Sequence, residues 1–322
     1  MDGSLHSFAQ DLPRQRTLRN PIGCTGVGLH SGLRIALEMQ PSPADSGIVF
    51  HRSDADVDIP ARFDRVADGH LATRLAAIGA PEVGVGTVEH LMAALAALGI
   101  DNARISLDGP EVPVLDGSAA PFVFLIDCAG IATQDAPRRQ ITVLRTIRVA
   151  AGDAFVELSP SPAIGLPTGL TPGLTPGLTM ELSIAFDAPA IGRQSFSLAL
   201  TEAGFRRELA SARTFITADA IAGLHAQGLA QGGTLDNAVV VEDARVLNPA
   251  GLRMPNEFVR HKLLDAIGDL ALAGWPIAGR FRAHRSGHAL NQRLLEALFA
   301  APDAFRIGPA PALEASLALA AA

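Results

Sequence analysis

The sequence predicts a mixed α+β fold made of two similar halves. Its 322 residues exceed what one ordinary hydrophobic core accommodates, so two domains of about 150 residues, or one large α/β domain, are expected. In each half, strand-like segments come before longer apolar segments with helical spacing, an order that suggests an internal duplication. A polar run at residues 134–140 separates the halves. We therefore predict two domains, 14–137 and 138–310.

The first half opens with a predicted β-hairpin. Two short strands within residues 16–39 flank a glycine-rich turn at residues 23–32. The glycines of this turn match neither phosphate-binding pattern, G-x-x-x-x-G-K-[ST] or G-x-G-x-x-G, and a strand rather than a helix follows them. The sequence therefore favours a hairpin turn over a phosphate-binding loop.

Two helices follow the hairpin, and each is bounded by residues typical of helix ends. The first is expected within residues 86–99, with Thr87 as N-cap and Gly99 at its C-terminal end. A strand at 103–107 follows it. The second is expected within residues 116–130, with Ser118 as a possible cap, a proline in its first turn and a glycine after its last.

The second half repeats this order of strands before helices. Strands are expected at 141–150, 154–159, 179–186, 194–199 and 237–242. Residues 167–179 repeat Thr-Pro-Gly-Leu, and because Pro and Gly recur every four residues this segment predicts an exposed loop. Residues 216–233 form an apolar insert with a short helix, which could guide an acyl chain or serve ordinary packing.

A predicted helix near residues 260–270 carries the most informative side chains. At about 100° per residue, four ionisable residues share one helix face opposite an apolar face: His261, Lys262, Asp265 and Asp269. A His and an Asp four residues apart can coordinate one ion, and these ligand types suit zinc. The alternative is a simple ion pair on a solvated face, so other residues must decide.

Two further histidine segments complete a set of groups for metal-assisted hydrolysis. His90 could be a third ligand, and the adjacent Glu89 could be the general base, although a structural Glu near a helix N-terminus is the alternative. His288 lies where a strand turns into a helix and could act as the protonated acid, favoured by a carboxylate such as Asp269. Three protein ligands with an open fourth position predict catalysis on an amide or ester.

Composition excludes several other classes of protein. A net charge of −7, a pI near 5.7 and the lack of a basic tract argue against a nucleic-acid partner. Cys24 and Cys128 form no C-x-x-C pair, which excludes a thiolate zinc cluster and fits the reducing cytoplasm. Neither a leader peptide nor an apolar run of about eighteen residues is evident. We expect a soluble, cytoplasmic monomer without a transmembrane segment, acting on a small-molecule substrate and water.

Seven motifs occur in order across about residues 14–310, and together they carry a resemblance. They are GVGLHSG (26–32), TVEHL (87–91), GIDN (99–102), PVLDGSAAPF (113–122), SARTF (211–215), FVRHKLLDAIGD (258–269) and SGHALN (286–291). With these motifs the chain resembles the UDP-3-O-acyl-N-acetylglucosamine deacetylases. These are zinc amidases that catalyse the committed step in the biosynthesis of lipid A, the lipid of lipopolysaccharide.

The resemblance implies a fold of two similar two-layer α/β sandwich domains with the active site between them. It also implies that Zn2+ is held by His90, His261 and Asp265. Glu89 would be the general base, and His288 the cationic acid or oxyanion stabiliser. These roles agree with those predicted from the residues alone.

The resemblance adds roles that spacing does not give. Thr214 would help to hold the oxyanion formed from the acetamide, and Asp269 would orient His288. Substrate contacts would come from Lys262 near the nucleotide phosphates, Phe215 near the sugar, and Ile221 of the insert along a passage for the 3-O-acyl chain.

The expected reaction is hydrolysis of the acetamide of UDP-3-O-(3-hydroxyacyl)-N-acetylglucosamine, which gives acetate and the free amine. One alternative is a metal-dependent deacetylase of another acylated amino sugar. The other is a noncatalytic, zinc-stabilised binding module, for which Glu89 would be dispensable because it is not a metal ligand.

Overall fold

The computed structural model describes residues 12–68, 71–161 and 177–310, and it shows the mixed α+β fold that the sequence predicts. The first-half strands are β1 (Arg14–Leu18), β2 (Ile22–Val27), β3 (Arg34–Pro41), β4 (Ile48–Arg52), β5 (Val57–Pro60), β6 (Val66–Asp68), β7 (Arg74–Ala77), β8 (Ala80–Val85), β9 (Ala103–Leu107) and β10 (Ile131–Pro137). The second-half strands are β11 (Arg139–Val143), β12 (Ile147–Ala151), β13 (Ala154–Ser159), β14 (Leu178–Ala185), β15 (Arg193–Ala199), β16 (Phe215–Thr217), β17 (Val239–Glu242), β18 (Arg245–Val246), β19 (Ile277–His284) and β20 (Phe305–Pro309).

Six α-helices lie in the described part of the chain. They are α1 (Glu89–Ala97), α2 (Ala120–Ala129), α3 (Glu202–Glu208), α4 (Ala218–Ala226), α5 (Glu257–Ala271) and α6 (His288–Phe299), and a 3-10 helix spans Phe63–Arg65. In this same part of the chain, every helix is too short or too polar to cross a membrane.

Each half is built on one large sheet. The first has the order β2-β3-β9-β4-β5, in which only β4 and β9 run parallel. The second has the path β12-β13-β19-β11-β20, and β14 and β15 extend it beside β19. Alternate residues of the strands face inward, such as Ile35, Leu37 and Met39 of β3, and these join the apolar sides of the helices in the core.

Smaller sheets flank these two large ones. β6, β7 and β8 form a three-stranded sheet within the first half. In the second half, β16, β17 and β18 form another, and α4 packs on it, at the position of the predicted apolar insert. β1 pairs with β10 at the end of the first half, whereas the boundary near residue 138 stays a prediction.

Most predicted elements are confirmed, with two corrections. The hairpin forms from β2 and β3, but the single strand predicted at 141–150 is wrong, because β11 joins β19 and β20 while β12 turns away to pair with β13. The N-cap role of Thr87 is also wrong: its backbone is left-handed (φ 54°) and its hydroxyl donates to Glu111 (2.8 Å). Most of the Thr-Pro-Gly-Leu repeat lies outside the described residues.

The two halves meet most closely where α1 crosses α5. Gly268 of α5 lies against the backbone of Glu89, and a Cβ atom added at Gly268 would stand 2.0 Å from the Glu89 carbonyl oxygen. Only a residue without a side chain fits there. The crossing sets the first turn of α1 beside the ionisable face of α5.

We predict that Gly268→Ala destabilises the protein by an amount near the upper end of the ~1–3 kcal/mol typical of overpacking, because helix backbone cannot give way as a flexible side chain can. Urea unfolding would measure the change in free energy. Gly223→Ala in α4 is the matched control, because among the described residues no atom outside the neighbouring backbone of α4 lies within 4 Å of its added Cβ. That control should gain up to about 1 kcal/mol from helix propensity. Equal stability of Gly268→Ala and the parent protein would contradict the close approach.

Candidate active site

Three buried side chains from two helices converge at the α1–α5 crossing. His90 comes from α1, and His261 and Asp265 come from successive turns of α5. Their potential ligand atoms all lie within 4.8 Å of one another. Asp265 Oδ1 is 3.3 Å from His261 Nε2 and 3.6 Å from His90 Nε2. The structure thus brings together the three residues that the sequence predicts as metal ligands.

The imidazole of His261 is held in the form that a metal ligand requires. Its Nδ1 is 3.0 Å from the Ala212 carbonyl oxygen, to which it donates, so that Nε2 carries the lone pair and faces Asp265. Burial lowers the pKa of His261 to about 4, more than the Asp265 charge raises it. The ring is therefore neutral near pH 7.

The carboxylate of Asp265 has the properties of an ion-binding group. Burial alone would raise its pKa, but His261, Lys262 and the nearby His90 hold that pKa well below the ordinary value. Lys262 Nζ donates to Oδ2 (2.9 Å), whereas the buried Oδ1 has no hydrogen-bond partner among the described residues. An unpaired buried carboxylate oxygen is costly unless a cation meets it.

The two distances that join Asp265 Oδ1 to the histidines are compatible with tetrahedral coordination of a divalent cation such as zinc. Bonds of about 2.0–2.2 Å in a tetrahedron separate neighbouring ligand atoms by roughly 3.3–3.6 Å. The two distances from Asp265 Oδ1, 3.3 and 3.6 Å, lie in that range. Two imidazoles and one carboxylate also form the donor set that leaves a fourth position open in catalytic sites.

A second buried cluster, centred on Asp269, lies beside these ligands. His288 is the first residue of α6, and its Nδ1 donates to Asp269 Oδ2 (2.9 Å). Asn291, one turn further along α6, donates to the same oxygen (2.8 Å). Burial lowers the pKa of His288, but the charges of Asp269 and Glu89 and the Asp269 hydrogen bond more than offset this and raise the pKa to about 9. His288 is therefore an imidazolium at neutral pH, with its Nε2 free of this pairing.

Glu89 lies between the two clusters at the first turn of α1. Burial raises the pKa of its carboxyl group, although the charges of His288 and His90 oppose the shift. Glu89 Oε1 is 3.8 Å from His288 Nε2, and Oε2 accepts the backbone N–H of Thr73 (3.1 Å). A carboxylate of raised proton affinity and a protonated imidazole thus face each other beside the ligand group.

The segment 212–214 is fixed to the first turn of α5 by a buried ion pair. The Arg213 guanidinium donates to both oxygens of Glu257 (2.8 and 3.2 Å), and the Arg213 backbone N–H donates to one of them (3.1 Å). This pairing sets the Ala212 carbonyl under His261. The backbone N–H of Thr214 donates to the Gly117 carbonyl, and the Thr214 carbonyl accepts from the backbone N–H of Val239.

The predicted substrate-contact residues lie around this centre at different depths. The Phe215 ring at the start of β16 makes an edge contact with Phe258 (4.9 Å between centroids) and lies 6.2 Å from the His261 ring. Lys262 is largely buried through its ion pair with Asp265. Ile221 is half-buried on α4, in the unit that begins with Phe215.

Sequence reasoning missed several residues that support the site. Asn291 and Glu257 could have been found, since Asn291 lies three residues after His288 and Glu257 four residues before His261 on the same helices. Thr73 and the Ala212 carbonyl carry no such signal, because only the tertiary fold brings them to the site.

The chain is similar to a set of named deacetylases over most of its length. The family model described as UDP-3-O-acyl N-acetylglycosamine deacetylase (LpxC) matches residues 15–300. Proteins named UDP-3-O-acyl-N-acetylglucosamine deacetylase are 48% identical in Anaeromyxobacter sp. (strain Fw109-5), over 91% of each chain, and 48% identical in Acidithiobacillus ferrooxidans, over 91% of this chain and 92% of the relative. The protein of that name from Myxococcus xanthus is 46% identical over 92% of this chain and 90% of its own.

We predict that the imidazole of His288 stays protonated in the metal-free protein until the pH approaches about 9. Asp269→Asn removes the largest influence that raises this pKa and leaves burial, which lowers it, so the midpoint should fall. Nitrogen-15 NMR titration, with His288→Ala for assignment, measures it. Asp127→Asn, at an exposed ion pair with Arg206, is the control that should leave the midpoint unchanged. An unmoved midpoint in Asp269→Asn would show that Asp269 does not set the charge of His288.

Proposed function

The chain belongs to the UDP-3-O-acyl N-acetylglycosamine deacetylase family, and from this premise we propose that it is a zinc-dependent hydrolase of the acetamide of UDP-3-O-(3-hydroxyacyl)-N-acetylglucosamine, in lipid A biosynthesis. The observation that carries the proposal is the arrangement of one buried base and one buried cationic acid beside a ready-made set of metal ligands.

His90, His261 and Asp265 would hold the metal. Zinc bound there would lower the pKa of water at the site and polarise the carbonyl of the acetamide. The neutral His261 imidazole and the strongly acidic Asp265 are ready to bind without first losing a proton near pH 7.

Glu89 would act as the general base. Its carboxylate is buried, and its raised pKa makes it a better proton acceptor than an exposed Glu. It takes one proton from the water whose oxygen forms the new bond to the acetyl carbon. Thr73 N–H occupies Oε2, which leaves Oε1, on the side of His288, for this transfer.

His288 would act as the general acid. Asp269 accepts from Nδ1, so the proton on Nε2 is the one available to the leaving nitrogen. When the C–N bond breaks, the sugar nitrogen leaves as the amine with that proton, and the acetic acid, which keeps the second proton of the water, ionises to acetate in solution. The proton held by Glu89 can then return to His288, whose Nε2 is 3.8 Å from Glu89 Oε1.

The remaining assignments concern substrate binding. Thr214 would help to hold the oxyanion, a role that its position two residues after Ala212, whose carbonyl accepts from His261, supports. Phe215 beside the His261 ring supports a place near the sugar. Lys262 carries positive charge beside the ligand Asp265 (2.9 Å), which suits a contact with the nucleotide phosphates. Ile221 and the half-buried residues of α4 would line the passage for the 3-O-acyl chain.

The noncatalytic alternative leaves one feature unexplained. A binding module stabilised by zinc needs its ligands, but it gains nothing from a buried Glu89 of raised pKa facing a buried imidazolium. A deacetylase of another acylated amino sugar would share this centre, and turnover of an acyl-free UDP-sugar at an equal rate would favour it.

We place the protein in the cytoplasm, where the thiols of Cys24 and Cys128, free in the structure, stay reduced.

We predict that Glu89→Gln lowers kcat by at least about 10²-fold, the usual scale for loss of a general base, while the protein still binds zinc. The amide keeps an oxygen for the Thr73 N–H, so the fold of the site should persist. Acetate release and metal content by atomic absorption would be measured on the same samples.

Glu82→Gln in β8 is the matched control for this test, because Glu82 is exposed. It should keep the kcat of the parent protein. Full activity in Glu89→Gln would refute the general-base assignment. Zinc binding without any acetate release by the parent protein would favour the binding-module alternative.

A further inference from the structure

Thr73 makes a hydrogen bond to each half of the proposed acid–base machinery. It lies immediately before β7 and is 3% exposed. Its backbone N–H donates to Glu89 Oε2 (3.1 Å), and its carbonyl accepts from Val88 N–H (3.4 Å). Its hydroxyl lies 2.6 Å from Asp269 Oδ1 and 3.3 Å from His288 Nδ1.

The direction of the hydroxyl bond follows from its partners. Asp269 also receives a hydrogen bond from Asn291 at Oδ2 (2.8 Å) and one from His288 Nδ1, which lies 2.9 Å from Oδ2 and 3.1 Å from Oδ1. A carboxylate with these donors is an acceptor, so the Thr73 hydroxyl donates to Oδ1. Oδ1 and Oδ2 are then held from different elements, and the plane of the carboxylate is fixed. The plane of Asp269 in turn fixes the direction of His288 Nδ1–H.

We propose that Thr73 is a positioning residue that fixes the general base Glu89 and the general acid His288 relative to each other. The inference rests on the proposed function. One residue, brought by the small β6-β7-β8 sheet, ties Glu89 on α1 to Asp269 on α5 and, through it, to His288 on α6. The base and the acid sit on different helices, and of the described residues only Thr73 donates a hydrogen bond to both carboxylates, Glu89 and Asp269.

Two substitutions separate the hydroxyl from the backbone contact. Thr73→Val keeps the volume and the N–H that holds Glu89 but removes the donor to Asp269, and Thr73→Ser restores that donor. We expect Thr73→Val to lower kcat by about 10–10²-fold, the scale of a small misplacement of a catalytic group. KM should change by less than about threefold, because Thr73 serves the acid–base pair and not substrate binding. Thr73→Ser should recover most of kcat.

A second readout does not depend on turnover. In metal-free protein, the proton on His288 Nδ1 should give a low-field resonance in proton NMR, assigned by its loss in His288→Ala. We expect this resonance to shift in Thr73→Val and to return in Thr73→Ser. Thr25→Val, at an exposed position in β2, is the matched control and should change neither kcat nor the resonance.

The outcomes separate this inference from the proposed function. If the parent protein releases no acetate, the proposed function fails, and the resonance alone then decides whether Thr73 positions His288. The inference is overturned if Thr73→Val keeps both kcat and the resonance of the parent. It is also overturned if the loss appears only in KM, or if Thr73→Ser fails to restore what Thr73→Val lost.

Discussion

The close approach of α1 and α5 at Gly268 is the constraint on which the site depends. With no side chain at Gly268, the backbone of Glu89 lies directly on α5. Glu89 and His90, in the first turn of α1, then face the side of α5 that carries His261, Asp265 and Asp269. A wider crossing would separate His90 from the other two candidate ligands, and Glu89 from His288, although every residue would still be present.

Burying so many charges at one crossing creates an electrostatic problem that metal binding would solve. Three buried carboxylates, from Glu89, Asp265 and Asp269, face two cations, Lys262 and His288. The hydrogen bonds of the centre satisfy most of the carboxylate oxygens, but Asp265 Oδ1 has no hydrogen-bond partner within the described residues. Because an uncompensated buried charge costs several kcal/mol, a cation at Oδ1 would stabilise the folded protein as well as serve catalysis.

The residues of the candidate ligand group and of the proposed acid–base pair were predictable because they follow local rules. Helical spacing places His261, Asp265 and Asp269 on one face, and Glu89 precedes His90 in one motif. Residues supplied by distant segments were not predictable: Thr73, the Ala212 carbonyl and Arg213 act through tertiary contacts. Thr87 shows the same limit. Local sequence assigns it as a helix cap, but its hydroxyl instead donates a hydrogen bond to the distant Glu111.

The central claim is that the buried ligand group, the base and the acid work together on an acetamide. Its most direct test is acetate release from UDP-3-O-(3-hydroxyacyl)-N-acetylglucosamine by chelator-stripped protein, before and after addition of one equivalent of zinc. The account predicts no release before addition and turnover after it. Release that is independent of metal, or none in either state from protein shown to be folded by circular dichroism, would contradict it.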